Sequence, residues 1–315
     1  MFAGSGALFR AGSGCRVVRY TLRPVFVPVP LADTRFEILA DAAFGARPAL
    51  AAAGLPAVSD PFAGWVRAVG LGGQGRYGAA RAELARVLRS GPDPVLFSLA
   101  ASTRGSLLRQ LGWHAAASGW DGRAAAAVLP GLVADAPVPG AAPDRVDAAC
   151  DALTGLAADA LGLGRLELAA RLLERTRALL GDDEAVRVRA RIRLCWVGAE
   201  AALAGGEATR ALPQAEAGLR LAETTPSVRH RIKSALLVAA ATAAAGDLDR
   251  AAVLAGSVAE RTGEHGLLPL RWATAMLRSG VAATLAERTR AAAEANVCEQ
   301  MIVHLGGRFR PAGTC

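Results

Sequence analysis

Along this chain, apolar helical stretches end at glycines, and the same short pattern follows each glycine. After the glycine come a short polar or aromatic step and then a small residue, five positions beyond the glycine. The clear copies are Gly75 with Ala80, Gly112 with Ala117, Gly164 with Ala169, Gly206 with Ala211, and Gly246 with Ala251. A weaker copy begins at Gly280, where Leu285 replaces the small residue. The pattern predicts a chain built from repeated helical pairs.

Each part of this pattern has a physical reason. Glycine takes the left-handed C-cap conformation without strain, so each repeated glycine predicts the end of a first helix. The small residue predicts the point where the second helix crosses the first, because a small side chain lets the two backbones approach. Neither helix of a pair buries its apolar stripe alone, so neighbouring pairs have to stack into one continuous core.

The segment from Phe62 to Pro94 is the closest copy of a known repeat. Its matching positions are Trp65 near the early aromatic, Ala68 at the first small position, Gly75 and Tyr77 in the turn, Ala80, Leu84 and Val87 in the second helix, and Pro92 at the end. Over residues 61–298 the chain resembles the tetratricopeptide repeat. The resemblance implies an all-α, right-handed superhelix of stacked helix-turn-helix repeats, whose first helices line a groove that binds peptides.

Prolines mark a connector between two groups of repeats. Pro130, Pro137, Pro139 and Pro143 fall within the longest step between repeated glycines. Proline at this density is incompatible with a helix, so we expect an extended connector over residues 129–146.

The other predicted parts follow from the same pattern. They are a disordered or artefactual N-terminal segment over 1–30, a helical N-terminal cap over 31–60, two helical hairpins over 61–128, three to four helical hairpins with a capping helix over 147–305, and a tail over 306–315. Within the cap, residues 35–44 form the clearest helix. We expect the tail to fray from Phe309 onward.

Composition supports the helical interpretation and limits the functional ones. Just over half of the residues are apolar, mostly Ala and Leu, which lose little on entering a helix. The net charge is +8, and Lys233 is the only lysine, so nearly all the positive charge is arginine. This balance is typical of a GC-rich, actinobacterial-type genome and does not by itself indicate nucleic-acid binding. We therefore do not expect direct contact with nucleic acid.

Cysteine usage and the length of the apolar runs point to a cytoplasmic protein. The five cysteines are scattered without a close pair, which predicts neither a disulfide framework nor a zinc site. The longest uncharged apolar stretch, residues 234–246, is shorter than the about 20 residues that span a bilayer. We expect reduced thiols in the cytoplasm and no membrane contact.

The glycine-rich run from Gly70 to Gly75 fits the GxGxxG pattern of dinucleotide-binding enzymes. That site needs a strand before the run and an acidic residue after the next strand. The next candidate strand, residues 95–99, has no acid after it, and Gly75 is also a repeat glycine. A helix end is the favoured interpretation. The four histidines also lack metal-binding spacing, so we expect no catalytic residue, metal or cofactor.

Two basic triplets recur at the same position in neighbouring repeats, and codon bias does not explain such a register. Arg189, Arg191 and Arg193 precede Gly206 at the same distances at which Arg229, Arg231 and Lys233 precede Gly246. Stacked repeats would bring the triplets side by side on adjacent first helices, with Arg193 and Lys233 beside the groove. They are candidate partner-binding residues for an acidic peptide or another anion. The alternative is a solvated helix start whose arginines pair with nearby acids such as Asp182, Asp183 and Glu223.

Three functional hypotheses follow, in this order. The leading one is a non-enzymatic scaffold or adaptor module that binds a partner protein or acidic peptide in the repeat groove. The second is a ligand- or signal-sensing partner of a bacterial transcription regulator, with DNA binding supplied by another chain. The third is a dinucleotide-binding enzyme, which depends on the glycine-rich run alone.

Overall fold

The structure of this protein is a computed structural model that describes residues 34–132 and 142–311. Within these two ranges it contains fourteen α-helices and no strand. The predictions for residues 1–30 lie outside the described residues. So do those for the parts of the connector and of the tail at 133–141 and 312–315.

The helices are numbered in chain order. They are α1 (Thr34–Phe44), α2 (Leu50–Ala53), α3 (Pro61–Gly73), α4 (Tyr77–Arg89), α5 (Pro94–Arg109), α6 (His114–Val128), α7 (Arg145–Gly162), α8 (Leu166–Leu180), α9 (Val188–Ala204), α10 (Ala208–Glu223), α11 (Val228–Ala244), α12 (Leu248–Glu264), α13 (Leu268–Val281) and α14 (Leu285–His304). From α3 onward, consecutive helices pack as six hairpins, and each hairpin packs on the next. The predicted all-α fold of stacked, tetratricopeptide-like hairpins is confirmed.

The five clear glycine turns are present as predicted. At the first of them, Gly75 has a φ of +77°. Its N–H donates to the Gly72 carbonyl, and the Arg76 N–H donates to the Leu71 carbonyl, both at 3.0 Å. This pair of bonds is the Schellman motif, which satisfies the last carbonyls of α3. The alanine five positions after each turn glycine is fully buried in all five hairpins, so the helices do cross at these small residues.

The sixth turn was predicted in the wrong place. Gly280 lies inside α13, which continues to Val281. The next helix is started by a capping box, in which Thr284 and Glu287 exchange side-chain and backbone hydrogen bonds. Leu285, the counterpart of the buried alanines, is 78% exposed. The capping box, and not a glycine, therefore sets the start of α14.

The last hairpin packs back against the first two. The Gly78 N–H donates to the Leu305 carbonyl at 2.9 Å. Leu268 of α13 and Ile302 of α14 belong to the same buried cluster as Trp65 of α3. The six hairpins thus form a closed array, and the space between their first helices is partly enclosed.

The chain after α14 contacts the second hairpin and the main buried cluster through residues 308–310. Trp113 donates from Nε1 to the Arg308 carbonyl at 2.6 Å, and the Arg310 N–H donates to the Leu111 carbonyl at 2.9 Å. The Phe309 side chain also packs against the main buried cluster. Fraying from Phe309 stays a prediction, and the contacts of Phe309 and Arg310 with the rest of the array are what it has to be tested against.

Helix α1 lies across the array between two first helices. It packs on α3 and contacts α11, and Leu39 at its centre is fully buried. Just beyond its end, the Gly45 carbonyl accepts a hydrogen bond from the Val228 N–H at 3.1 Å. Helix α1 therefore closes one side of the space that the first helices surround.

Candidate functional site

The enclosed space contains a cavity of about 450 Å³ that is lined mainly by the first helices of the hairpins. A smaller cavity of about 70 Å³ adjoins it and shares part of its wall. Small-molecule sites in proteins are usually concave and about 300–1,000 Å³ in volume. We call the two cavities together the inner cavity.

Four of the six predicted basic residues line the inner cavity. Arg193 and Arg229 line both of its parts, Arg189 lines the smaller part, and Lys233 lines the larger. On α9 and on α11 the two inward residues are four positions apart, so they share one helix face. The predicted juxtaposition of the two triplets is present for these four side chains.

The middle residue of each triplet points elsewhere. Arg191 and Arg231 are two positions from their neighbours, which turns them about 200° around the helix. Arg191 donates from Nη2 to the Leu180 and Gly181 carbonyls at 2.7 and 3.0 Å, at the end of α8. Arg231 donates from Nη1 to the Thr225 carbonyl at 2.8 Å. These two arginines hold the ends of the preceding helices.

Asp151 of α7 is the acidic partner of two inward arginines. Arg189 Nη2 lies 2.8 Å from Asp151 Oδ2, and Arg193 Nε lies 3.1 Å from Asp151 Oδ1. Burial raises the pKa of Asp151, but the charges of Arg189 and Arg193 outweigh burial and hold that pKa below its usual range. One carboxylate therefore serves two guanidinium groups.

Lys233 has its own acidic partner. Its Nζ lies 3.3 Å from Glu200 Oε1 and 4.4 Å from the centre of the Trp196 ring. Trp196 donates from Nε1 to Ser234 Oγ at 2.8 Å, and its ring stacks on His230 with 5.3 Å between centres. Burial, followed by the charge of Arg229, lowers the pKa of His230 well below its usual value. His230 is therefore neutral at neutral pH.

Arg229 has no carboxylate partner among the described residues. Its Nη2 donates one long hydrogen bond, of 3.4 Å, to the Ala43 carbonyl. The side chain passes over Gly73, where an added Cβ would lie 3.1 Å from Arg229 Cδ. Burial, and then the charges of Arg193 and Arg189, lower the pKa of Arg229 to about 10. It is still a cation at neutral pH.

The acids suggested by the sequence are not the partners of the inward basic residues. The partners are Asp151 and Glu200, which lie on neighbouring first helices. Asp183 instead accepts a hydrogen bond from the Ala185 N–H at 3.0 Å, in the turn before α9. The available signal was an acid among small and apolar residues, since Asp151 follows Cys150 and precedes Ala152 in the first half of α7.

A second buried charge cluster borders the cavity at Arg109. Arg109 Nε donates to Asp159 Oδ1 at 2.7 Å, and its Nη2 pairs closely with Asp121. Both carboxylates are fully buried. Burial raises the pKa of Asp121 to about 8, although the charge of Arg109 acts in the opposite direction. Room for the Asp121 carboxylate comes from Gly105 and Gly155, where an added Cβ would overlap it.

The remaining wall of the larger cavity is mostly apolar. Its side chains come from α9, α11, α13 and α14, and they include Val197, Leu236, Leu237, Leu277 and Ile302. Thr154 of α7 also lines this part, and its buried hydroxyl has no hydrogen-bond partner in the described ranges. The larger part of the inner cavity thus combines cationic side chains, an apolar wall and the unpartnered Thr154 hydroxyl.

The glycine-rich run is a helix end, as favoured from the sequence. Gly70, Gly72 and Gly73 lie within α3, and Gly75 forms the turn after it. A dinucleotide loop begins a helix after a strand, whereas this run ends a helix. Across the described ranges, no group of three or more His, Cys, Asp or Glu side chains is arranged to hold a metal ion. Nor does any described helix combine the length and apolar character that cross a bilayer.

The likeness between this chain and known proteins is one of structure. No family model matches the sequence, and no curated protein matches it. Among solved structures, the chain is similar to a Signal Transduction ATPase with Numerous Domains protein with a tetratricopeptide repeat sensor, from Pyrococcus horikoshii. The identity is 14% and the TM-score 0.49, over 78% of this chain and 38% of that one. This chain therefore spans well under half of that protein's length.

Proposed function

We propose that this protein is a non-catalytic binding module whose inner cavity holds an anionic ligand. The charge balance of the cavity supports the proposal. Four basic side chains, at positions 189, 193, 229 and 233, face the carboxylates of Asp151 and Glu200. The cationic end therefore keeps a surplus of positive charge that a carboxylate or phosphate group would neutralise.

Arg229 is the observation that carries the proposal. A half-buried guanidinium without a carboxylate partner is unfavourable, because desolvation of the charge is not offset by an ion pair. An anion bound beside it would supply that pair. Arg193 offers a second cation, since it shares the single charge of Asp151 with Arg189.

The scaffold or adaptor role predicted from the sequence is one form of this proposal. In that form, the ligand is an acidic segment of a partner protein, held by Arg189, Arg193, Arg229 and Lys233. Arg191 and Arg231 then support the fold and do not contact the partner. A cavity of about 450 Å³ fits an acidic side chain or chain end better than a peptide that runs through a groove.

Closure of the array favours the second form, a ligand-sensing partner of a bacterial transcription regulator. A ligand in the cavity would contact α11 and α13 together, and α13 also packs against the first hairpins. Ligand binding would therefore favour one arrangement of the last hairpin relative to the first. In this form, a partner chain binds DNA, and adding the ligand changes how much of that partner co-purifies.

Calorimetric titration of the whole protein tests the anion site. The probes are succinate and an acetylated tri-glutamate peptide, each at low and high salt. We expect at least one probe to bind, with lower affinity at high salt. Arg229→Gln should weaken binding about tenfold or more, as expected for the loss of a charge-assisted hydrogen bond. Its melting temperature should not fall, because the lost cation has no ion pair.

Arg210→Gln is the matched control. Arg210 is exposed on α10 and pairs only with Glu207, on the outer helix of its hairpin. This variant should bind both probes as the wild type does. Absence of binding by both probes, or equal losses in the two variants, would refute the anion site.

A further inference from the structure

We infer that the ligand of the inner cavity is a small amphipathic anion, with a carboxylate or phosphate head and a short aliphatic chain. The inference rests on the proposed anion site and specifies the chemical class of its ligand. It combines the cationic end of the cavity with the apolar wall that continues from it. The two features belong to one enclosed space, because Arg193 and Arg229 line the same cavity as Leu236 and Leu277.

The head of the ligand belongs at Arg229 and Arg193. Arg189 is held by Asp151, and Lys233 is held by Glu200. Arg229 has no carboxylate within the described structure, and Arg193 has only the one that it shares. These two guanidinium groups are therefore the ones with donors to spare for an incoming oxyanion.

Thr154 is a second, independent indication of a polar ligand group. Its side chain is 1% exposed, lines the larger cavity and has no hydrogen-bond partner in the described ranges. A buried hydroxyl without a partner is uncommon and costs free energy. Thr154 lies three residues after Asp151, on the same face of α7, so it is on the Arg193 side of the cavity. A head oxygen between these groups would satisfy the hydroxyl as well.

The apolar wall determines the other half of the ligand. Leu236 and Leu237 come from α11, and Leu277 from α13, so the wall continues from the Arg229 end of α11. Leu277 is only partly buried without a ligand. A hydrocarbon chain along this wall would remove apolar surface from water on both sides. A purely polar dianion would leave the wall uncovered.

We infer an aliphatic chain in the ligand because Trp196 and Trp272, which line the larger cavity, already pack against other side chains. Trp196 stacks on His230 and carries the Lys233 ammonium group. Trp272 packs against Phe309 with 5.1 Å between ring centres. We therefore favour a flexible chain lying between the leucines over a flat ring stacked on tryptophan.

The test is a calorimetric series on the full protein with acetate, butanoate, octanoate, octyl phosphate and the neutral octanamide. We expect one site, with octanoate or octyl phosphate bound about a hundredfold or more tightly than acetate. Octanamide should bind much more weakly than octanoate. Arg229→Gln should reduce octanoate binding about tenfold and leave octanamide binding unchanged. The two eight-carbon anions distinguish a carboxylate head from a phosphate head.

Leu277→Asn tests the apolar wall, with Leu285→Asn as its control because Leu285 is 78% exposed on α14. The first variant should lose the preference for octanoate over acetate but keep succinate binding, which also reports that it is folded. If succinate binds the wild type but octanoate binds no better than acetate, the amphipathic ligand is wrong and the anion site stands. If no anion binds, the proposed function itself fails.

Discussion

Gln74 and His265 are joined by a hydrogen bond across 191 residues of sequence. Gln74 Nε2 donates to the His265 carbonyl at 3.0 Å, and it also donates to the Pro48 carbonyl at 2.7 Å. The amide is buried, and the Pro48 carbonyl also accepts from the Ala51 N–H at 3.2 Å. Through this one side chain, the end of α3 is hydrogen-bonded to the end of α12 and to the loop after α1.

Replacing that amide should therefore destabilise the protein. Gln74→Leu keeps the size of the side chain but removes the donor to the part-buried His265 carbonyl and one of the two donors to the Pro48 carbonyl, at a cost of about 1–3 kcal/mol. Urea unfolding measures the free-energy difference. Gln300→Leu, at an exposed position on α14, is the control and should stay within about 0.5 kcal/mol of the wild type. Equal effects of the two substitutions would show that the bridge contributes nothing.

Gly75 and Gly280 belong to the same series of repeated glycines in the sequence. Replacing each with alanine should nevertheless change the free energy of unfolding in opposite directions. Gly75→Ala puts a side chain at a φ of +77° and 3.2 Å from Leu268 Cδ2, so we expect a loss of about 1–2 kcal/mol or more. Gly280→Ala adds a methyl group in open space within α13, so we expect a gain of about 0.5–1 kcal/mol. Thermal unfolding of both variants checks the prediction, and a stabilising Gly75→Ala would contradict it.

Ionisation of the buried Asp121 carboxyl group should make the protein less stable as the pH rises. Its pKa is about 8 in the folded protein and about 3.9 in an unfolded chain, so the folded state binds more protons between these values. Stability contributed by this group is therefore present below about pH 4 and is lost as the pH rises towards about 8. Asp121→Asn keeps a neutral side chain beside Arg109 and should remove that loss.

The measurement is the melting temperature of wild type and Asp121→Asn from about pH 5 to about pH 9. The difference, variant minus wild type, should become more positive as the pH rises. A difference that is constant across this range would mean that Asp121 is not protonated in the folded protein at neutral pH.

Thiol reactivity should follow burial. Cys150 is buried, and burial, followed by the charges of Asp151 and Asp147, raises the pKa of its thiol to about 12. Cys195 is only partly buried. Under native conditions, iodoacetamide should therefore alkylate Cys195 well before Cys150, as mapped by peptide mass spectrometry. Rapid alkylation of Cys150 in the folded protein would contradict its position in the core.

The parts that were predictable from the sequence depend on local backbone geometry. A glycine such as Gly206 and a buried alanine such as Ala211 are required by one turn and one helix crossing, and both can be read within a few residues. The register of the basic triplets was predictable for the same reason. The helical period also decides which residues of a triplet face inward, because Arg191 lies about 200° around the helix from Arg189 and Arg193. We did not make that division from the sequence.

The parts that were missed depend on contacts between distant residues. No local pattern pairs Arg189 with Asp151, or Gln74 with His265, because the stacking of hairpins brings them together. The Leu111 carbonyl likewise accepts from the Arg310 N–H, which lies in the stretch that was expected to fray. Gly280 was misread because a regular spacing was extended past the point where a capping box replaces it.

The hydrogen bond between Gly78 and Leu305 has a consequence for how such a chain evolves. In an open solenoid, each unit contacts only its neighbours, so units can be gained or lost at either end without harm. Here a duplicated or deleted hairpin would move α14 away from α4 and open the cavity. The shape of the cavity therefore depends on the number of hairpins, which is six within the described ranges.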